Sequence, residues 1–205
     1  VQGSVSTPGI TALTAEDTPL LFSLASTNAI SVFDLDAGTN ALLVTMSVTN
    51  GTLTLSTTSG LSFTNGTANG QANVAFTGSL TNINNALNGL SYLASTNSHG
   101  ADFLNIVAND QGHTGSGGPL TGTNAVSITV MSVNDAPVLA DANVVLNPED
   151  EDSPPPVGPV GTLIDALVDF ATPSGQLDNV VDVDGGAQLG IAIIGAEISN
   201  GIWHY

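Results

Sequence analysis

The sequence of 205 residues has no lysine and no arginine, against 18 Asp plus Glu, for a formal net charge of −18. Average usage would supply roughly 20 or more basic residues in this length. With no Lys or Arg to displace phosphate counterions, a nucleic-acid partner is not expected. No carboxylate can pair with Lys or Arg, so clustered acids must lie in water or share a bound cation. Cysteine is absent as well, which removes disulfides and thiolate metal sites. No run of about 18 apolar residues occurs and no N-terminal signal is seen, so membrane insertion is not expected. Aromatics are sparse at 4%, too few for a sugar-stacking platform beyond Trp203 and Tyr205.

Enough apolar residues remain, 41% with a mean hydropathy of +0.28, to rule out a disordered tail. They are arranged in short alternating runs. Ile10 to Thr14, Ala29 to Phe33, Leu43 to Thr49, Thr52 to Thr57, Leu61 to Phe63, Ala72 to Phe76, Leu90 to Leu93, Asp102 to Ala108 and Ala125 to Val133 read as strands. Asn50-Gly51 reads as a two-residue type I′ hairpin turn, setting Val48 opposite Leu53 and Met46 opposite Leu55 on a buried face. Thr45, Ser47 and Thr54 then face water. Asn65-Gly66 and Asn69-Gly70 are further turn candidates. Leu80, Ile83, Leu87 and Leu90 fall at helical spacing, with Ser79 as N-cap and Asn88-Gly89 ending the turn. Many short strands, Gly and Asn turns and one brief helix indicate an all-β sandwich.

Val133-Asn134-Asp135-Ala136-Pro137-Val138 organises the rest. It follows the last strand of a first domain, its Asn and Asp are turn formers carrying hard oxygen ligands, and Pro137 stops a continuing ladder. Residues 1–9 read as a linker, 10–138 as a complete sandwich and 139–205 as the N-terminal part of a second. In that second part, Asn143 to Leu146, Val160 to Phe170 and Gly190 to Ala196 are the candidate elements. The abrupt start and stop are expected of a piece of something longer.

The acids recur as pairs beside turns: Glu16-Asp17, Asp34/Asp36, Glu149-Asp150 and Asp182/Asp184. Asp-x-Asp places two carboxylates on one side of an extended segment, because strand side chains repeat every second residue. Two such oxygens with backbone carbonyls suit a six- to eight-coordinate calcium ion. Asp102, Asp141 and Glu197 are scattered and read as solvated surface. His99, His113 and His204 lack a partner or metal spacing, no Gly-x-Ser-x-Gly elbow occurs, and the glycines of 112–118 lack a Lys for phosphate. An enzyme is therefore not expected.

Gly51-Thr52-Leu53, Phe76-Thr77-Gly78, Ile83-Asn84 through Tyr92, Gly100-Ala101-Asp102, Asn109-Asp110-x-Gly112 and Asn134-Asp135-Ala136-Pro137-Val138 together resemble a cadherin-like tandem repeat. This type is related to the chondroitin-sulfate-proteoglycan repeats of large bacterial surface and secreted proteins. The resemblance covers about 8–138, and 182–205 resembles the start of a second repeat. It implies Ig-like sandwiches in tandem, calcium at their junctions, an extracellular location and a role in adhesion or surface architecture, with neighbouring repeats as partners. Carried over position by position, it implies Glu16, Asn134, Asp135, Asp182 and Asp184 as calcium ligands. Asp110, at the end of a strand, is expected to run to the same pole and join them; Asp34 and Asp36 would serve a junction with a preceding domain. The alternatives are a filament subunit assembling head-to-tail with other copies by strand addition, and a carbohydrate-binding module.

Overall fold

A computed structural model describes residues 4–9, 11–113, 118–139, 157, 180–187 and 199. The chain divides into two compact units, Val1–Val133 and Asn134–Tyr205. The division falls a few residues before the expected boundary, because Val138 pairs within the second unit.

The first unit is a β-sandwich built from β1 (Ser4–Ser6), β2 (Ala12–Ala15), β3 (Leu20–Phe22), β4 (Ser31–Phe33), β5 (Ala41–Ser47) and β6 (Gly51–Thr54). It continues through β7 (Leu61–Phe63), β8 (Asn73–Ser79), α1 (Leu80–Leu87), β9 (Leu90–Ala94), β10 (Gly100–Asn109) and β11 (Thr121–Met131). One sheet has the order β2-β11-β10-β5-β8-β7, a second the order β3-β9-β6, and β1 pairs with β4 alone. Alternation along the strands follows the pleat. Val44, Met46, Leu104, Ile106, Val126 and Ile128 turn inward from the large sheet and meet Phe22, Leu53, Leu90 and Tyr92 from the small one in a single core. Residues 4–6 were expected in a linker; instead they are a strand, and Val5 is buried. An apolar residue flanked by two serines is enough to pair with Val32 when a partner strand is present.

The helix forms where the period changes from two to three and four. The Ser79 hydroxyl accepts the Asn82 N–H at 3.4 Å, and Ile83, Ala86 and Leu87 face the core. Asn84 acts as a substitute strand neighbour: its Oδ1 accepts the Val32 N–H at 2.8 Å and its Nδ2 donates to the Val32 carbonyl at 2.9 Å.

The Asn50–Gly51 hairpin is not formed. β5 pairs with β8 and β10, whereas β6 pairs with β9, so residues 48–50 carry the chain from one sheet to the other. Asn50 has no positive φ, which a type I′ turn requires. The inward set of that reading still holds, since Met46, Val48, Leu53 and Leu55 are all buried. Gly51 is needed for close approach: a Cβ there would lie 2.5 Å from the Leu93 carbonyl oxygen and 2.8 Å from the Tyr92 ring. The I′ geometry occurs at Asn65-Gly66, where both φ values are positive (56° and 71°) and the Thr67 N–H closes on the Thr64 carbonyl at 3.1 Å.

In the second unit, β12 (Val138–Leu139) and β13 (Val180–Val181) form an antiparallel pair, Val138 opposite Val181 and Leu139 opposite Val180. The candidate elements at 143–146, 160–170 and 190–196 lie outside the described residues, as do Glu149 to Asp152, Trp203, His204 and Tyr205. Among the described residues no helix is long and apolar enough to cross a membrane.

Candidate metal centre

Strand register decides where each acid goes. In the first unit β2 runs parallel to β11 with Ala15 beside Met131. The next residue, Glu16, continues the pairing: its N–H donates to the Met131 carbonyl at 2.9 Å. Its carboxylate is buried, 5% exposed, and accepts the Val133 N–H at 2.5 Å. The His99 ring approaches it at 3.7 Å, half exposed. Glu16 thus grips the last residue of the first unit by its backbone.

The second unit repeats this device from its own side. Continuing the Val138–Val181 register outward brings Asp135 opposite Asp184. The Asp135 N–H donates to Asp184 Oδ2 at 2.6 Å, and the Asp184 N–H donates to Asp182 Oδ1 at 2.9 Å. Asp182 therefore orients Asp184 in a two-residue Asx turn, and Asp184 holds the entering segment. Asn134 is exposed and donates its side-chain amide to the Asp135 carbonyl at 2.9 Å, which stiffens the loop. Asp135 and Asp184 offer carboxylate oxygens that could hold a metal ion. These hard donors do not distinguish calcium from magnesium or manganese.

Asp110 is a correction. β10 and β11 pair from Gly100 opposite Val130 to Asn109 opposite Thr121, so Asp110 lies at the far end of that ladder from Val130. Ten residues of strand separate the ends by roughly 30 Å, and Glu16 belongs to the Val130 end. An antiparallel neighbour reverses the direction, and the sequence does not say which end of β10 meets the junction. Asp110 Oδ1 instead accepts the Gly112 and Leu120 N–H groups, both at 2.8 Å, closing the loop after β10. Those bonds, Leu120 first, hold its carboxyl below the usual range, and the Asp36 charge works against them.

Asp34 and Asp36 share that second pole with Asp110. Asp34 Oδ1 accepts the Asp36 and Ala37 N–H groups at 3.1 and 3.2 Å. Its Oδ2 is buried and without a hydrogen-bond donor. The neighbouring Asp36 carboxylate can serve as a partner only if a proton is shared. Burial first, and then Asp36, push the Asp34 carboxyl above its ordinary value.

Asp102, read from sequence as a solvated acid, is 3% exposed and accepts four hydrogen bonds. It accepts the N–H groups of Thr49 and Asn50 at 3.0 Å, its own neighbour Phe103 at 2.7 Å, and the Tyr92 hydroxyl at 3.0 Å. Burial opposes the charge, but these bonds, led by Asn50 and Thr49, overcome it and leave the carboxyl below its ordinary value. Burial and the Asp102 charge in turn raise the Tyr92 hydroxyl well above its usual range. The signal that could have found Asp102 is its inward parity with Leu104 and Ile106 on β10.

Against protein-family models, curated proteins and solved structures alike, no match to the chain is found.

Proposed function

We propose that the chain is a non-enzymatic structural module of an extracellular or cell-surface protein, stiffened at its central junction by calcium. The single observation that carries this reading is that acids grip residues 133–135 from both sides: Glu16 holds the Val133 amide and Asp184 the Asp135 amide. Those two amides are two residues apart along one chain, at most about 7 Å whatever else moves. Covalent connection alone therefore ties both carboxylates to one short stretch of chain. No Lys or Arg exists to neutralise them, so a shared cation is the physical remedy. Oxygen-only donors on irregular backbone match the flexible six- to eight-fold coordination of calcium better than the strict octahedron of magnesium.

Stiffening follows, because a cation held by ligands on both sides of a short segment removes its freedom to bend. A string of such modules would act as an extended spacer, which is the architecture of adhesive surface proteins. Asp34, Asp36 and Asp110 would do the same at the opposite pole of the first unit. The test is thermal melting with calcium, magnesium or chelator, alongside titration calorimetry. Binding at a hundredfold excess over Kd adds about 2.7 kcal/mol, which raises Tm by on the order of 5–10 °C. Coincident melting curves with no calcium heat would remove the proposal.

A further inference from the structure

Five Asn-Gly pairs occur in the chain, and Asn200-Gly201 lies outside the described residues. Such pairs share a chemistry. The backbone nitrogen of the glycine, after losing its proton to base, attacks Cγ of the asparagine. The N–Cγ bond forms, the Cγ–Nδ2 bond breaks, and the amide leaves as ammonia. Water then opens the cyclic imide at either carbonyl, giving aspartate or isoaspartate and one new carboxylate, with no change of oxidation state. The attack needs a side chain free to swing and a glycine N–H free to turn toward it.

Three described pairs are denied both freedoms. At Asn69-Gly70, Oδ1 accepts the Leu55 N–H at 2.7 Å and the Gly70 N–H donates to the Leu53 carbonyl at 3.0 Å. At Asn88-Gly89, Oδ1 accepts the Leu24 N–H at 3.0 Å and the Gly89 N–H donates to the Phe22 carbonyl at 2.8 Å. At Asn50-Gly51, Nδ2 donates to Ser98 Oγ at 2.6 Å and Gly51 is wedged against β9, paired with Ala94.

Asn65-Gly66 differs in every respect. Both residues are exposed, neither the Asn65 side chain nor the Gly66 N–H has a hydrogen bond among the described residues, and the space around Gly66 is open. The pair is the tip of the turn that follows β7, the edge strand of the large sheet. We propose that Asn65 is a self-modifying position, converting through the cyclic imide to aspartate and isoaspartate while the protein stays folded, and that the fold protects Asn50, Asn69 and Asn88. The aspartate product keeps the turn, since Asp tolerates the positive φ found there. The isoaspartate product adds a methylene to the main chain at the tip and loosens the β7 edge.

The test is incubation of the folded protein at neutral and mildly alkaline pH, followed by peptide mass mapping. Trypsin has no site in a chain without Lys or Arg, so pepsin or chymotrypsin is used. Conversion at Asn65 should exceed that at Asn50, Asn69 or Asn88 by at least about tenfold, the factor equivalent to about 1.4 kcal/mol of local opening. Unfolding in urea should bring the four rates together, and Asn65→Gln should remove the fast component. Equal rates in the folded protein, or an inert Asn65 while the unfolded chain reacts, would overturn the proposal.

Discussion

Replacing Asp102 by Asn removes a charge while keeping the shape, so the loss can be read from its bonds. The remaining amide oxygen can still serve the Thr49 and Phe103 N–H groups. The new NH2 group then faces the Asn50 N–H donor against donor, while the Tyr92 hydroxyl can keep its proton on the Asn50 carbonyl and accept from the amide. One hydrogen bond to a charged acceptor is lost, typically about 1.5–3 kcal/mol, and those from Thr49 and Phe103 fall to neutral strength, about 0.5–1.5 kcal/mol each. With partial relaxation we expect a destabilisation of about 3–5 kcal/mol, a large part of the ~5–15 kcal/mol available to a domain. Urea titration followed by far-UV circular dichroism reads it. With an m value of about 1–3 kcal/mol/M, the midpoint of the first unit should fall by roughly 2 M.

A pH series separates this from simple misfit. The Asp102 carboxyl is depressed in the folded state, so its contribution is complete above the unfolded value of about 3.9 and fades as pH falls through the folded value. The variant should lack that acid limb, and its deficit should shrink towards low pH. Tyr92→Phe, which removes one donor, should cost about 1–2 kcal/mol and couple with Asp102→Asn in a double-mutant cycle. A deficit under about 1 kcal/mol with an unchanged acid limb would refute the assignment of Asp102 as the hub.

Asp34→Asn should have the opposite sign: its carboxyl is raised, so the charged form weakens the fold as pH rises through that value, and in chelator the variant should melt higher at neutral pH than the parent. Glu16→Gln and Asp184→Asn should each shrink the calcium-dependent gain in Tm while leaving the chelated protein within a few degrees; an undiminished gain would count against both as ligands. Val48→Asp, at a buried position, should unfold the first unit, whereas the exposed Thr54→Asp should stay within about 0.5 kcal/mol; equal losses would show the inward face to be misassigned. Gly51→Ala should cost on the order of 1–3 kcal/mol, because its Cβ meets backbone at Leu93 that cannot swing aside; a neutral result in urea titration would refute that contact.

The sequence by itself determined the all-β class, the helix from Leu80 and the inward faces. Each rests on a period or a cap that a few neighbouring residues carry: Ser79 before the helix, Met46, Val48, Leu53 and Leu55 at every second position. It also determined, through the absence of Lys and Arg, that no carboxylate forms an ion pair with either. Only the tertiary structure decided which strands pair. Asn50-Gly51 has hairpin chemistry, yet Asp102, 52 residues further on, binds the Asn50 N–H and helps hold the chain in a crossover between sheets. The same holds for the acids. Asp110 and Asp34 were separated from Glu16 by strand direction, while Asp135 and Asp184, 49 residues apart, were joined by the β12–β13 register. Pairing between distant strands depends on the core each makes with the others, and no local window of sequence contains that energy.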